Sequence, residues 1–158
     1  MSRTEFSEQV NIHRYQLYII AYTILKNEHD AQDAVCSAIL KAYEHLDQLK
    51  DSRKFKAWII AITKNEALQF KRRQMELPGD GKVESMLPPV KDNYNELWDI
   101  VQELSEEYRL VIVMFYYNDL TIKEIAKALD IPVGTVKSRL NRGREQIKEA
   151  LYGKGEQA

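Results

Sequence analysis

Apolar residues return every three or four positions through most of the chain. Phe6, Val10, Leu17, Ile20, Ala21, Ile24 and Leu25, with His13 in register, mark one face of a first helix. Asn27 is placed to cap a second, with Asp30 and Asp33 in or near the first turn, where carboxylates meet the positive end of the helix dipole. That helix continues through Val35, Ala38, Ile39, Ala42, Tyr43 and Leu46. After a loop around Lys50 to Lys54, a third starts near Phe55 and runs through Trp58, Ile62 and Leu68 to Arg73. No four-residue run shows apolar alternation at period two between turn signals, so the predicted fold class is all-α.

The punctuation changes at residues 77–89, LPGDGKVESMLPP, which hold three of the four prolines and two of the six glycines. Such a run breaks helices and reads as a linker. Beyond it, Asp92 or Asn93 opens a helix through Leu97, Ile100, Val101 and Leu104, and Ser105 caps the next, which carries Leu110 through Tyr117. Thr121 starts a short helix with Glu124 three residues on, the spacing of a capping box. The last helix starts near Pro132, a residue tolerated in a first turn, and fades by Gly153. The reading is two small helical domains, 1–74 and 92–153, a flexible linker at 75–91 and a tail at 154–158. Each domain is near the lower size limit for a self-sufficient core.

The formal net charge of −1 conceals segregation. Between Lys50 and Arg73 eight Lys/Arg face two acids; from Gln74 to Glu107 nine acids face two lysines; from Pro132 to Lys148 five basic residues face Glu145 alone. Two basic stretches separated by an acidic one point to two anion-binding surfaces. No run approaches the length a membrane helix needs, the N-terminus MSRTEFSEQ has no secretory pattern, and the lone Cys36 agrees with a reducing cytoplasm. Cys36 is expected to be a buried or half-buried thiol on an apolar helix. His13, His29 and His45 lie far apart without metal-ligand spacing, so no metal or other cofactor is expected.

The most specific signal is TIKEIAKALDIPVGTVKSRLNRGREQIKEAL, residues 121–151. A short helix, a turn near Asp130 to Pro132 and a longer helix make a helix-turn-helix. At about 100° per residue, Val136, Leu140, Gly143 and Ile147 share one narrow stripe that must bury. Lys137, Ser138, Asn141 and Arg142 then lie opposite, with Arg139 and Arg144 flanking. A helix fits the major groove, where such side chains reach base edges and flanking cations hold phosphate. A solvated basic helix with no ligand is the bland alternative, but the preceding capped helix and the interleaved small residues favour DNA.

The helix from Phe55 to Arg73 and its preceding loop carry Lys54, Lys56, Lys64, Lys71, Arg72 and Arg73 beside Phe55 and Trp58. Aromatics among cations can stack on unpaired bases, although Phe55, Trp58 and Ile62 also suit a core. The order of these segments resembles the extracytoplasmic-function branch of the sigma-seventy family, from about Tyr18 to Leu151. HDAQDAVCSAILKAY resembles its second-region helix, FKAWIIAITKNEALQFKRR its promoter-melting segment, and LSEEYRLVIVMFYYNDLTIKEIA with GTVKSRLNRGREQI its fourth region. The resemblance implies that Asp30, Asp33, Leu40 and Lys41 dock on core RNA polymerase. It places Lys54, Phe55, Lys56, Trp58, Lys64, Asn65, Arg72 and Arg73 at the minus-ten element, where a loop pocket captures an unpaired base. Thr135, Lys137, Ser138, Arg139, Asn141, Arg142 and Arg144 fall at the minus-thirty-five element. The chain departs from the family at Cys36-Ser37, where Gln-Glu is common, and at Ile39, Tyr43, Gln69 and Ser105.

The implied function is a sigma factor: it binds core RNA polymerase and promoter DNA, is restrained by an anti-sigma factor, and works in the cytoplasm, at the nucleoid when polymerase-bound. No membrane insertion, small-molecule substrate or catalytic residue is expected, because no glycine-rich phosphate loop or nucleophile elbow is present. A serine recombinase would need a catalytic domain for which there is no room. A dimeric helix-turn-helix regulator does not need the second basic helix, and a decoy that only titrates an anti-sigma factor does not need the Lys137-to-Arg144 surface.

Overall fold

The computed structural model describes residues 1–76 and 96–156, with side chains to residue 153, and every regular element among them is helical. The chain splits into two compact units, Met1–Leu87 and Pro88–Ala158. Most of the linker expected at 75–91, and the helix start expected at Asp92 or Asn93, lie outside the described residues.

Three helices build the first unit: α1 (Arg3–Leu25), α2 (Glu28–Glu44) and α3 (Phe55–Glu76), each packed on the other two. Ser2 and Glu5 close a capping box on α1. The Asn27 side chain caps α2 as expected, accepting from the Asp30 N–H at 3.0 Å. The α1 stripe is buried as its spacing predicts, from Phe6 and Val10 to Ile24 and Leu25, with His13 half-buried. On α2 the inward positions go to Ala31, Ala34, Val35, Ala38 and Ala42, so the helices approach closely. Cys36 therefore falls on the outward side and is exposed, which corrects the expectation of a buried thiol.

Helix α3 differs from its predicted phase. Its buried face is Phe55, Ile59, Ile60, Thr63, Lys64, Glu66 and Ala67, while Trp58, Ile62 and Leu68 are half-buried at the flanks. The helix also runs to Glu76, past the expected end at Arg73. Phe55 is buried against α1, edge-on to Phe6 at 5.8 Å and 6.0 Å from the Trp58 ring, and Phe6 in turn meets Tyr43 of α2 at 5.5 Å. Full burial of such a ring stabilises by roughly 1.5–3 kcal/mol.

The second unit contains α4 (Glu96–Glu103), α5 (Glu106–Ile112), α6 (Ile122–Leu129) and α7 (Val133–Glu156). Trp98 of α4, absent from the predicted stripe, is buried and packs edge-on to Tyr117 at 5.1 Å; Leu97, which was in the stripe, is 42% exposed. Ser105 occupies the cap position of α5 without a side-chain capping bond. The Arg109 guanidinium closes that junction instead, donating to the Leu104 carbonyl at 2.8 Å, and burial pushes Arg109 below the usual arginine range despite nearby Glu106. After α5 the chain widens at Val113–Tyr117, where the Asn118 N–H reaches back five residues to the Val113 carbonyl. One extra residue in a turn re-aims the side chains that follow, a common device near functional sites.

Candidate nucleic-acid interface

Helices α6 and α7 form the helix-turn-helix. The capping box is present: Glu124 N–H donates to Thr121 Oγ1 at 3.1 Å, and Thr121 N–H to Glu124 Oε1 at 2.9 Å. Asp130 ends α6 in the left-handed conformation, φ 55° and ψ 51°, which Asp tolerates better than most side chains. The Ile131 N–H then donates to the Ala126 carbonyl at 3.0 Å, and the Pro132 carbonyl receives the first amides of α7, from Thr135 and Val136.

On α7, Val136, Leu140 and Gly143 are buried, as the helical wheel predicts. A β-carbon at Gly143 would stand 2.9 Å from Ile112 Cγ1, so glycine lets α7 lie directly on α5. Ile147 is half-buried beside an apolar groove of about 290 Å³ that Leu97, Val101, Ile112 and Leu151 help to line. The opposite side presents Lys137, Ser138, Asn141 and Arg142 to solvent, with Arg144 also exposed and Thr135 and Arg139 half-buried. Ser138 Oγ donates to the Thr135 carbonyl at 3.1 Å. Arg142 meets Glu145 at 3.2 Å, an exposed pair that holds it only weakly. Arg139 leans towards Glu107 at 3.8 Å. Arg144 has more partners: its Nε–H donates to Tyr116 Oη at 2.7 Å and its Nη1 to Asn141 Oδ1 at 3.1 Å, with the guanidinium 5.7 Å from the Phe115 and Tyr116 ring centres.

Residues 94–147 match the family description "Sigma-70, region 4", and residues 10–76 match "Sigma-70 region 2". The chain belongs to the sigma-70 family. Within that family it is an extracytoplasmic-function sigma factor: it is 31% identical to the ECF RNA polymerase sigma factor SigW of Bacillus subtilis, over 92% of this chain and 88% of that one. It is also 31% identical to the ECF RNA polymerase sigma-E factor of Escherichia coli, over 75% of this chain and 72% of the relative. Among solved structures, the sigma factor RpoE from Bartonella quintana, crystallised with the anti-sigma factor NepR, has the same fold. It superposes with a TM-score of 0.78 at 23% identity, covering 93% of this chain and 96% of that one. CnrH, solved with the cytosolic domain of CnrY, superposes at 0.71 and 22% identity, covering 96% and 90%.

In region 2 of this sigma factor the residues named from sequence separate into presented and buried groups. Leu40, 65% exposed, and Asp33 lie on the outer side of α2; Asp30 is half-buried and accepts a hydrogen bond from Gln74. Lys41 turns its ammonium to Glu66 of α3 at 2.7 Å, and that carboxylate side chain is only 5% exposed. On α3, Trp58, Asn65 and Arg72 recur at seven-residue spacing and so share a stripe; Trp58 is half-buried, the other two exposed. Lys54 is exposed on the short turn Ser52–Lys54, Lys56 is half-buried, and exposed Arg73 packs over the Phe70 ring at 5.0 Å. Phe55 and Lys64 lie in the buried face. Ahead of α3, Arg53 grips Asp51 through two side-chain hydrogen bonds of 3.1 Å, which hold that carboxyl below its ordinary range.

Sequence reasoning missed Phe115, Tyr116, Glu66 and Glu107, the partners of the basic residues. Consecutive aromatics at 115–117 were the available signal, since one face of a helix cannot bury three neighbours. Among the described residues, no group of three His, Cys, Asp or Glu side chains is placed to hold a metal, and no helix is long and apolar enough to cross a membrane.

Proposed function

We propose that this sigma factor docks on core RNA polymerase through the outer side of α2, around Asp33 and Leu40, and reads promoters with two separate surfaces. The stripe of Trp58, Asn65 and Arg72 on α3, with the turn that carries Lys54, engages the minus-ten element as its strands part. Phe55 acts from beneath, fixing the start of α3 against Phe6. The exposed face of α7 enters the major groove of the minus-thirty-five element, where Lys137, Ser138, Asn141 and Arg142 meet base edges and Arg139 lies at the flank. The observation that carries this reading is the placement of those four polar side chains in solvent, on the sides of α7 turned away from buried Val136 and Leu140. An anti-sigma factor restrains the protein; RpoE and CnrH, its structural neighbours, were each solved with a bound protein, named as an anti-sigma factor for RpoE. The work is done in the cytoplasm, at the nucleoid when polymerase is bound, and involves no catalysis by the chain itself.

Co-purification with core polymerase and runoff transcription test the proposal together. The expected result is a stoichiometric complex that initiates at a defined promoter, while the free chain binds the same DNA weakly. Tight, specific operator binding by a dimer without polymerase would overturn it in favour of a conventional regulator.

A further inference from the structure

Arg144 and Asn141 are three residues apart on α7, and the bond between them constrains the chemistry Asn141 can offer. A guanidinium has five N–H groups and no acceptor, so whatever faces it at hydrogen-bond distance must accept. The atom 3.1 Å from Arg144 Nη1 is therefore the Asn141 carbonyl oxygen, and the amide orientation follows from chemistry. Arg144 is in turn oriented from outside its own helix. Its Nε–H donates to Tyr116 Oη at 2.7 Å, and its charge lies 5.7 Å from the centres of both the Phe115 and Tyr116 rings. Those rings come from the widened turn after α5, whose backbone is fixed by the bond from Asn118 N–H to the Val113 carbonyl at 3.0 Å.

We propose that Arg144 is a positioning residue that sets Asn141 as a hydrogen-bond donor towards DNA and so fixes the base preferred at one promoter position. The proposal rests on the reading of α7 as the minus-thirty-five helix. Asparagine recognises adenine bidentately only when its oxygen accepts from N6 while its nitrogen donates to N7. Oδ1 keeps a second lone pair, but its direction is set by the bond to Arg144, so Nδ2 is the atom freer to turn towards the groove. A lone donor suits the paired acceptors N7 and O6 of guanine or O4 of thymine; adenine offers N7 alone beside an amino group left without its acceptor, and cytosine presents only an amino group. Arg144 need not give up this role to approach a phosphate, since the Nε–H and one Nη1–H are used internally and the guanidinium has others.

The test is transcription and binding by the full chain with core polymerase, on promoters carrying every single-base change in the upstream element, at several salt concentrations. The position under Asn141 is the one whose discrimination disappears in Asn141→Ala. There the unmodified protein is expected to favour guanine or thymine over cytosine by roughly fivefold, with adenine not the preferred base. Arg144→Lys keeps a cation for phosphate but lacks the planar fork. It is expected to leave the salt slope near its original value while raising adenine at that position by about fivefold relative to the unmodified protein. Tyr116→Phe, which removes only the hydroxyl anchor, shifts the preference the same way by less, and adding Arg144→Lys to Asn141→Ala changes no base preference further. An Asn141-dependent preference for adenine in the unmodified protein would overturn the proposal. So would Arg144→Lys and Arg144→Ala altering only the affinity for all sequences and its salt dependence, which would make Arg144 a phosphate contact alone. If no substitution among Lys137, Ser138, Asn141 and Arg142 changes any base preference, the reading of α7 itself fails, and the proposal with it.

Discussion

Replacing Lys41 by methionine separates two roles that a basic residue on α2 can have. Its ammonium lies 2.7 Å from a Glu66 carboxylate whose side chain is 5% exposed, while the lysine itself is 48% exposed. At an effective dielectric constant of about 20, two unit charges at that distance attract by roughly 6 kcal/mol, against which the desolvation of Glu66 must be set. Breaking a fully buried pair costs about 3–5 kcal/mol because one charge is stranded. Here water can reach the lysine side and part of the gap it leaves, so about 2 kcal/mol is the expected loss. In a unit of this size that lowers the unfolding midpoint by roughly 10 °C. Glu66→Leu should cost less, since a freed Lys41 can turn to solvent, and the double variant Lys41→Met with Glu66→Leu should recover most of the loss. Trp58 fluorescence in a Trp98→Phe background reports the first unit alone during thermal or urea unfolding. A midpoint unmoved in Lys41→Met, accompanied by lost polymerase binding, would refute the argument and make Lys41 a direct polymerase contact.

Phe55→Ala should destabilise the first unit by about 3–5 kcal/mol, read by the same fluorescence, because it removes a fully buried ring packed on Phe6. Arg142→Ala should lose roughly 1–3 kcal/mol on the preferred minus-thirty-five element and relax discrimination at one position in a promoter-variant panel, since that side chain is exposed and its pair with Glu145 is a weak surface one. Gly143→Leu should cost the second unit about 2 kcal/mol or more in circular-dichroism melting, because even a β-carbon at that position stands 2.9 Å from Ile112.

What was legible in the sequence is what short-range physics encodes. The α1 stripe, the Asn27 cap, the Thr121–Glu124 capping box and the buried side of α7 each depend on residues within one or two turns of one another, and each is found where its spacing puts it. Helix α3 shows where that logic stops. Trp58 and Ile62 looked like core because they are large and apolar, yet the face turned inward includes Thr63, Lys64 and Glu66. A buried threonine satisfies its hydroxyl on the Ile59 carbonyl, one turn back, at 2.8 Å, and Glu66 is made tolerable by a lysine 25 positions away. Neither arrangement leaves a periodic mark. The expectation for Cys36 failed for a related reason: the inward positions of α2 go to four alanines and Val35, so size and apolarity did not mark which side faces in.

The same distinction divides the candidate site. Which side of α7 faces outward follows from the phase of Val136 and Leu140 alone, so the residues proposed to read DNA could be named without knowing the fold. How those residues are used depends on contacts that cross the domain. Tyr116 reaches Arg144 over 28 positions, and Glu107 lies opposite Arg139 from another helix. A count of cations treats Lys41, Lys64, Arg139 and Arg144 as equivalent to Lys137 or Arg142, whereas the fold engages them internally to different degrees. Lys41 holds Glu66, Lys64 is buried, Arg139 leans on α5 and Arg144 stands on an aromatic shelf. On α7, Lys137 and Arg142 are the least engaged, while Arg144 is anchored yet keeps N–H groups that a phosphate can use. If α7 is the reading helix, that anchoring bears on which bases are preferred more than on how tightly every sequence is held.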